Sequence, residues 1–170
     1  MKCAWFFTTN PDYFAGVKAQ NRADLSTLGM IASKAAYSGG EEWLDQCVSY
    51  IDGNHDYVQS FFKSNMPNLM KVGAKPQGTY LTWVDVTGLA DKIGAKQMAA
   101  EASKTPDGRG RVVTPEAVVE KWLAKNAGCA LNAGSTYGLG GANHMRMNIA
   151  TSRKTLEAAL NSMATALKKA

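Results

Sequence analysis

Cysteine and histidine are scarce in this chain, and neither type is clustered. The three cysteines, Cys3, Cys47 and Cys129, lie far apart and never form a Cys-x-x-Cys spacing, and the two histidines, His55 and His144, are equally scattered. Zinc sites and disulfide frameworks need closer and more regular spacing of these residues. We therefore expect neither a metal centre nor disulfides, and we expect the cysteines to pack as small apolar side chains.

Long apolar runs and dense basic stripes are also absent. The longest apolar run near the start, residues 3–7, is too short for a membrane span or a signal-peptide core. The net charge of +5 is spread along the chain, apart from one loop with Lys104, Arg109 and Arg111 and a pair of lysines at the end. Nucleic-acid binding normally needs a denser basic stripe with interleaved aromatic residues. These features predict a cytoplasmic protein that binds neither a membrane nor nucleic acid.

Hydrophobic periodicity predicts a mixture of helices and short strands. Residues 3–8 are typical of a fully buried strand, which would need neighbouring strands that this chain does not supply. The helical patterns begin after Pro11, near Leu25, at a Ser38–Glu41 capping box, after the Thr114–Pro115 cap, and near Thr151 or Ser152. The remaining strand patterns cover residues 72–74, 79–86, 129–131 and 145–149, and the first two predict an antiparallel hairpin.

Two polar residues in predicted helices have simple structural interpretations. His55 falls on the apolar stripe of the third helix, and no metal ligand or carboxylate recurs near it at helical spacing. We therefore interpret His55 as a core or interface histidine that bonds to the backbone. Arg153 lies in the first turn of the last helix, where it would be either a solvated residue or a strut to a neighbouring loop.

An arginine interrupts the apolar strand pattern near the end of the chain, where residues 144–150 read His-Met-Arg-Met-Asn-Ile-Ala. Because strand side chains alternate, Met145, Met147 and Ile149 should face the core, whereas Arg146 and Asn148 should face away from it. An arginine in this position is either solvated or paired with an anion, and a carboxylate is the obvious candidate. Arg146 is therefore the first candidate for a functional residue.

A glycine-punctuated loop, residues 132–141, leads directly into the arginine strand. No Gly-Lys-Ser or Gly-Lys-Thr follows it, and Asn143 stands where a dinucleotide-binding fingerprint would need its third glycine. Taken alone, such a loop is a tight connection between two strands. Its position immediately before Arg146 is what gives it functional interest.

Three segments together resemble the C-terminal part of the class I/II (fold type I) aminotransferases, which use pyridoxal phosphate (PLP). They are the arginine strand, the glycine loop and a Pro-x-Gly-x-aromatic turn over residues 76–80. Within this family the chain is most similar to the C–S lyases related to cystathionine β-lyase, through residues 35–37, 42–44 and 51–54. The resemblance covers nearly the whole chain except about residues 92–111, which look like an insertion.

The resemblance implies an α/β (α+β) fold, namely the C-terminal small domain of a PLP-dependent transferase. We expect a short, mostly antiparallel sheet covered by helices, with one remnant strand of the large domain. In this division residues 1–23 are the remnant of the PLP-binding large domain, and residues 24–170 are the small domain.

The resemblance also implies roles for individual residues. Arg146 would bind the α-carboxylate of an amino-acid substrate, and Tyr137 of the glycine loop would form a wall of the same pocket. Lys2 aligns with the family position that contacts the cofactor phosphate. The catalytic lysine, the aspartate and the stacking aromatic residue of the family would precede Met1, and Lys34 matches a variable position that we interpret as a surface lysine.

These expectations define the predicted function. The chain would be the C-terminal domain of a PLP-dependent enzyme that acts on an L-amino acid by transamination or β-C–S elimination, and it would be incomplete without the lysine-bearing large domain. Members of the family are usually homodimers. The alternatives are a non-catalytic truncated domain, the smaller partner of a split enzyme, and a basic scaffold that binds nucleic acid.

Overall fold

The computed structural model describes residues 3–20, 26–104 and 112–170, and the chain divides into two compact units, residues 1–48 and 49–170. The helices are α1 (Pro11–Ala19), α2 (Thr27–Gly39), α3 (Glu41–Asn65), α4 (Thr87–Lys92), α5 (Ala95–Lys104), α6 (Pro115–Ala127) and α7 (Arg153–Lys168). The strands are β1 (Lys71–Val72), β2 (Leu81–Asp85), β3 (Asn132–Ala133) and β4 (His144–Asn148). The boundary between the two units falls within α3.

The first unit exposes apolar side chains. Residues 3–8 lie outside any strand, and Trp5 and Phe7 are 69% and 89% exposed. The predicted buried strand, which was also the predicted remnant strand of the large domain, is therefore wrong. A strand needs a partner strand for its hydrogen-bond ladder. The described residues of this unit form helices α1, α2 and the start of α3, and none of them forms a strand that could be this partner.

The junction between α2 and α3 differs from the predicted capping box. Ser38 lies in the last turn of α2, so it does not cap α3, and that prediction is wrong. Gly40 joins the two helices, and a Cβ atom there would lie 2.6 Å from the carbonyl oxygen of Ala36. Because Gly40 has no side chain, the backbone can pass close to Ala36 here, and α3 begins at the residue directly after Gly40.

The second unit contains a four-stranded antiparallel sheet in the order β1-β2-β4-β3. The predicted hairpin is confirmed as the β1–β2 pair, in which Lys71 lies opposite Asp85. In the centre of the sheet, Trp83 of β2 lies opposite Arg146 of β4, and Asn132 of β3 lies on the other side of Arg146. This register brings residues that are distant in sequence together on one face.

Helices cover the opposite face of the sheet, where the core lies. Met145, Met147 and Ile149 are buried, which confirms the predicted alternation along β4. The core also includes apolar side chains from helices α3 to α7, among them Val58, Phe62, Leu89, Ala95, Leu123, Leu156 and Leu160. Arg146 therefore projects from a strand that is fixed from behind by well-packed side chains.

Helices α6 and α7 begin where the sequence predicts. Thr114 accepts a hydrogen bond from the backbone N–H of Ala117, and Ser152 accepts one from the backbone N–H of Thr155. The segment that resembles an insertion contains α5, which buries Ala95 and Ala99, so its first part is helical. Arg109 and Arg111 of the predicted polar loop lie outside the described residues.

Candidate functional site

Arg146 occupies the centre of the sheet face that lies opposite the core. Its Nε atom is buried and has no hydrogen-bond partner. Among the described residues, no Asp or Glu side chain lies within salt-bridge distance of its guanidinium group. The site therefore contains a buried N–H donor on a positively charged group, and no anion pairs with it. This arrangement costs free energy unless a ligand supplies the acceptor.

Tyr137 covers the guanidinium group of Arg146. It ends a short 3-10 turn, Gly134–Tyr137, and its ring centroid lies 4.8 Å from the guanidinium carbon. The side-chain amide of Asn132 donates a hydrogen bond of 3.0 Å to the Tyr137 hydroxyl. The structure thus brings together Arg146 and Tyr137, the two residues that the sequence predicts to bind substrate.

Trp83 and His144 extend this surface, and the sequence did not identify either as a site residue. The Trp83 and Tyr137 rings form a T-shaped pair with centroids 6.0 Å apart, and the Trp83 ring stacks on His144 at 5.8 Å with an interplanar angle of 13°. Their proximity depends on the register of β2 against β4, which a pattern within one strand does not reveal. The three rings form a row beside Arg146.

A groove lies along the same face next to Trp83. Its volume is about 320 Å³, and its lining includes Lys71, Leu81, Trp83, Asp85 and His144. The Asp85 carboxylate accepts hydrogen bonds from the backbone N–H and the hydroxyl of Thr87, at 2.8 and 2.6 Å. Burial raises the pKa of Asp85, but these hydrogen bonds and the nearby His144 outweigh it, so the net pKa is lowered. Asp85 is therefore an anion at the end of β2 whose carboxylate is bonded to Thr87.

The loop that carries Tyr137 is tied to the start of α6 by Glu116. This side chain is only 4% exposed, and its carboxylate accepts a hydrogen bond of 2.5 Å from the backbone N–H of Asn143. The hydroxyls of Thr114 and Ser135 lie 3.2 Å apart and link the same two segments. Burial raises the pKa of Glu116, but hydrogen bonds from the Asn143 backbone, its own backbone and the two hydroxyls lower it overall.

Two glycines allow the loop to fold back on itself. A Cβ atom on Gly134 would clash with the carbonyl oxygen of Gly141 and would lie 2.5 Å from that of His144. A Cβ atom on Gly141 would clash with the carbonyl oxygen of Gly134. Two backbone segments of the loop cross at this point, and this crossing determines the position of Tyr137.

The other residues singled out in the sequence lie away from Arg146 or outside the described chain. Lys2, the predicted phosphate contact, is not among the described residues. Lys34 is exposed on α2, as expected for a surface lysine. His55 is buried, and its Nε2 lies 3.1 Å from the carbonyl oxygen of Thr79, which confirms its interpretation as a core histidine. Arg153 contacts α3 rather than a loop, through a hydrogen bond to Asn54.

The cysteines are free, and all three are half-buried. Cys129 packs against the core, as predicted, and burial raises the pKa of its thiol. Within residues 3–20, 26–104 and 112–170, no three His, Cys, Asp or Glu side chains are grouped so that they could hold a metal ion. No helix in these ranges has both the length and the apolar character needed to cross a membrane.

Known proteins resemble this chain over most of its length. Cystathionine beta-lyase of Corynebacterium glutamicum is 31% identical over an alignment of 176 residues. The alignment covers 98% of this chain and 38% of that protein. Cystathionine beta-lyase PatB of Bacillus subtilis is 28% identical over 157 residues, covering 91% of this chain and 34% of that protein. No protein-family model matches the chain.

A solved structure shares the fold. Cystalysin from Treponema denticola, whose structure contains pyridoxal 5'-phosphate, superposes with a TM-score of 0.71 and 25% identity. The match covers 95% of this chain and 36% of cystalysin. The chain thus spans about a third of the length of the relatives it matches. These matches confirm the resemblance inferred from the sequence and the predicted fold class.

Proposed function

We propose that this chain, which matches the C-terminal part of fold type I PLP-dependent enzymes, is the region of such an enzyme that binds the α-carboxylate of an L-amino acid. The observation that carries the proposal is the buried Nε atom of Arg146, which has no partner among the described residues. A planar guanidinium group presents parallel N–H donors that match the two oxygens of a carboxylate. The substrate would supply the missing anion.

The surroundings of Arg146 favour this role over a structural ion pair. Tyr137 lies against the guanidinium group, and the Trp83 ring packs against Tyr137, so the contacts are aromatic and not acidic. Aromatic contacts attract a cation without neutralising its charge. They also keep water away from one side of the group, which strengthens its attraction for an incoming carboxylate.

The described lysines do not fit the role of a Schiff-base lysine. All described lysines except Lys75 are exposed, including Lys34 on α2, and Lys75 forms ion pairs with Asp52 and Asp56 at 2.8 and 2.7 Å. Hydrogen bonds to these two aspartates raise the pKa of Lys75, whereas a nucleophilic lysine needs a lowered one. We therefore assign the PLP-binding lysine to a part of the enzyme that this chain does not contain.

In the complete enzyme, bound PLP would supply an electron sink for the carbanion formed at the substrate Cα. The contribution of this chain would be to fix the carboxylate at Arg146, which limits how the amino acid can rotate at the reacting carbon. The names of the relatives favour β-elimination at a carbon–sulfur bond over transamination. A cytoplasmic location and a homodimeric enzyme, as is usual in the family, are part of the same proposal.

An alternative is that the chain works as a non-catalytic domain or as the smaller partner of a split enzyme. The exposed aromatic residues of the first unit favour a covering partner, since Trp5 and Phe7 are largely exposed and Tyr37 is 82% exposed. Such a surface is usually covered by another domain or chain. Both versions keep Arg146 as the carboxylate site and differ in whether the lysine-bearing segment belongs to the same polypeptide.

Steady-state kinetics of the enzyme that contains this chain and the lysine-bearing segment test the proposal. Arg146→Ala should raise KM for the amino acid and lower kcat/KM by about 100-fold or more, because a charge-assisted bidentate pair is lost. The cofactor absorbance band should be unchanged, since Arg146 would touch the substrate and not PLP. Lys154→Ala, which removes an exposed positive charge at the start of α7, is the control. Unchanged steady-state constants in Arg146→Ala would remove Arg146 from the substrate site.

A further inference from the structure

A buried asparagine holds the chain at the point where the Arg146 strand ends. Asn54 of α3 is fully buried, and its side-chain nitrogen donates to the carbonyl oxygens of Ile149 and Thr151, at 2.9 and 3.1 Å. These carbonyls belong to the segment between β4 and α7. The Ile149 carbonyl also accepts a hydrogen bond of 2.9 Å from the backbone N–H of Thr151. The Asn54 amide is the donor that ties both carbonyls to α3 as the chain leaves the sheet.

The orientation of Asn54 is itself fixed by Arg153. The Nε–H group of Arg153 donates to Oδ1 of Asn54 at 2.9 Å, and its guanidinium carbon lies 4.6 Å from the centre of the Tyr57 ring. The backbone N–H of Arg153 donates to the hydroxyl of Tyr50 at 2.6 Å. Asn54 therefore donates and accepts at the same time, which leaves it one allowed orientation.

The same strand end is held from the other side by β2. The backbone N–H of Ile149 donates to the carbonyl oxygen of Tyr80 at 3.0 Å, just beyond the Leu81–Asn148 pair. Ile149 is thus bonded through its N–H to the β2 side and through its carbonyl to α3. This doubly held position lies three positions after Arg146 in the chain.

We propose that Asn54 is a positioning residue for Arg146, which sets the path of β4 and so the aim of the guanidinium group. The inference rests on the proposed function, because aim matters only if Arg146 receives a carboxylate. Arg146 has no hydrogen bond at Nε to fix its own direction. Its orientation follows from the backbone and from the Tyr137 ring, and a bidentate pair tolerates little misalignment.

The substitution Asn54→Asp separates this role from general packing. It keeps the size of the side chain and the acceptor for Arg153, but it replaces the donor to two carbonyls by an oxygen that repels them. Asn65→Asp is the matched control, because Asn65 lies at the end of the same helix and its amide donates to the carbonyl oxygen of Phe61 in an exposed position.

The measurement is NMR of the arginine side-chain Nε–H groups in the full chain, which has five arginines. The signal of Arg146 is identified by its loss in Arg146→Lys, and acetate serves as the carboxylate probe. In Asn54→Asp the Arg146 signal should shift or broaden, and the acetate affinity read from it should fall by about fivefold or more. Asn65→Asp should match the wild type in both respects.

A folded Asn54→Asp variant with an unchanged Arg146 signal and unchanged acetate affinity would overturn the proposal. If that variant does not fold, Arg153→Lys takes its place, because it keeps the charge but removes the Nε–H donor to Asn54. It should lower the acetate affinity by a smaller factor, and an unchanged affinity would count against the proposal. A wild-type Arg146 signal that ignores acetate would contradict the proposed function instead, while the signal itself still reports on positioning.

Discussion

At the scale of single residues, the site depends on an arginine whose neighbours are aromatic. Alternation along the strand was enough to predict that Arg146 faces away from the core, because Met145 and Met147 fix the other face. Its pairing with Tyr137 followed from the family resemblance. The roles of Trp83 and His144 were not predicted, because these residues come together only through the β2–β4 register. The role of Asn54 was not predicted, because its hydrogen-bond partners lie 95 and 97 residues away in the sequence.

Glu116 should make stability depend on pH at the acid end. Its folded pKa is lowered, so it stabilises the folded chain above its ordinary pKa, and that contribution is lost as the pH falls through the folded pKa. In urea unfolding, Glu116→Gln should reduce the free energy of unfolding at neutral pH by about 1–3 kcal/mol. The difference from wild type should shrink steadily as the pH falls below the ordinary range of a glutamate.

Glu120→Gln removes the same charge from the same helix and provides the control for Glu116→Gln. A difference between Glu116→Gln and wild type that is equally large at acid and neutral pH would show that the carboxylate charge is not what anchors Asn143.

At the scale of elements, local sequence signals predicted where most helices start. The exact bounds of helices and strands depended on the segments that pack against them or pair with them. Thr114 and Ser152 cap α6 and α7 as predicted, because a side-chain cap needs only nearby backbone. Ser38 fits the same pattern but lies inside α2, because Gly40 allows that helix to continue to Gly39. Three of the predicted strands shifted by one or two residues at their limits, since pairing partners define the ends of a strand. The predicted strand over residues 129–131 is wrong, because the residues that pair with β4 are Asn132 and Ala133.

Gly134→Ala should disrupt the glycine loop selectively. The new Cβ atom would clash with the Gly141 backbone, so the loop must open, at a cost of about 2–4 kcal/mol in the free energy of unfolding. Nuclear Overhauser contacts between the Tyr137 and Trp83 rings should disappear.

Gly78→Ala is the control for the loop variant, because nothing lies within 4 Å of a Cβ atom there and the backbone angle is ordinary. Retention of the Tyr137–Trp83 contacts in Gly134→Ala would mean that the crossing of the chain does not place Tyr137.

At the scale of the whole molecule, the family resemblance predicted more of the fold than hydrophobic periodicity did. Residues 3–8 look like a buried strand because they are apolar, yet burial requires partners that the described residues of the first unit do not provide. The family resemblance predicted the antiparallel sheet and the helices that cover it. The domain division at residues 23 and 24 stays a prediction, as does the phosphate contact of Lys2.

The assignment of the Schiff-base lysine to another segment predicts how the chain behaves with PLP. The purified chain should show no new absorbance band typical of a lysine adduct, and mass spectrometry after borohydride reduction should find no added PLP. Cystalysin, whose structure contains pyridoxal 5'-phosphate, is the positive control. A reducible adduct on Lys34 or Lys2 would contradict the assignment.

Titration of the Arg146 side chain with a carboxylate tests the central claim most directly. In the wild-type chain, acetate should shift the Arg146 Nε–H signal saturably, whereas the Arg153 signal, whose Nε–H is already bonded to Asn54, should respond weakly. Methylammonium chloride at the same ionic strength should produce no such shift. Equal, linear responses of both arginines to acetate would contradict the account, because they would show that Arg146 is no better prepared for a carboxylate than an arginine already in use.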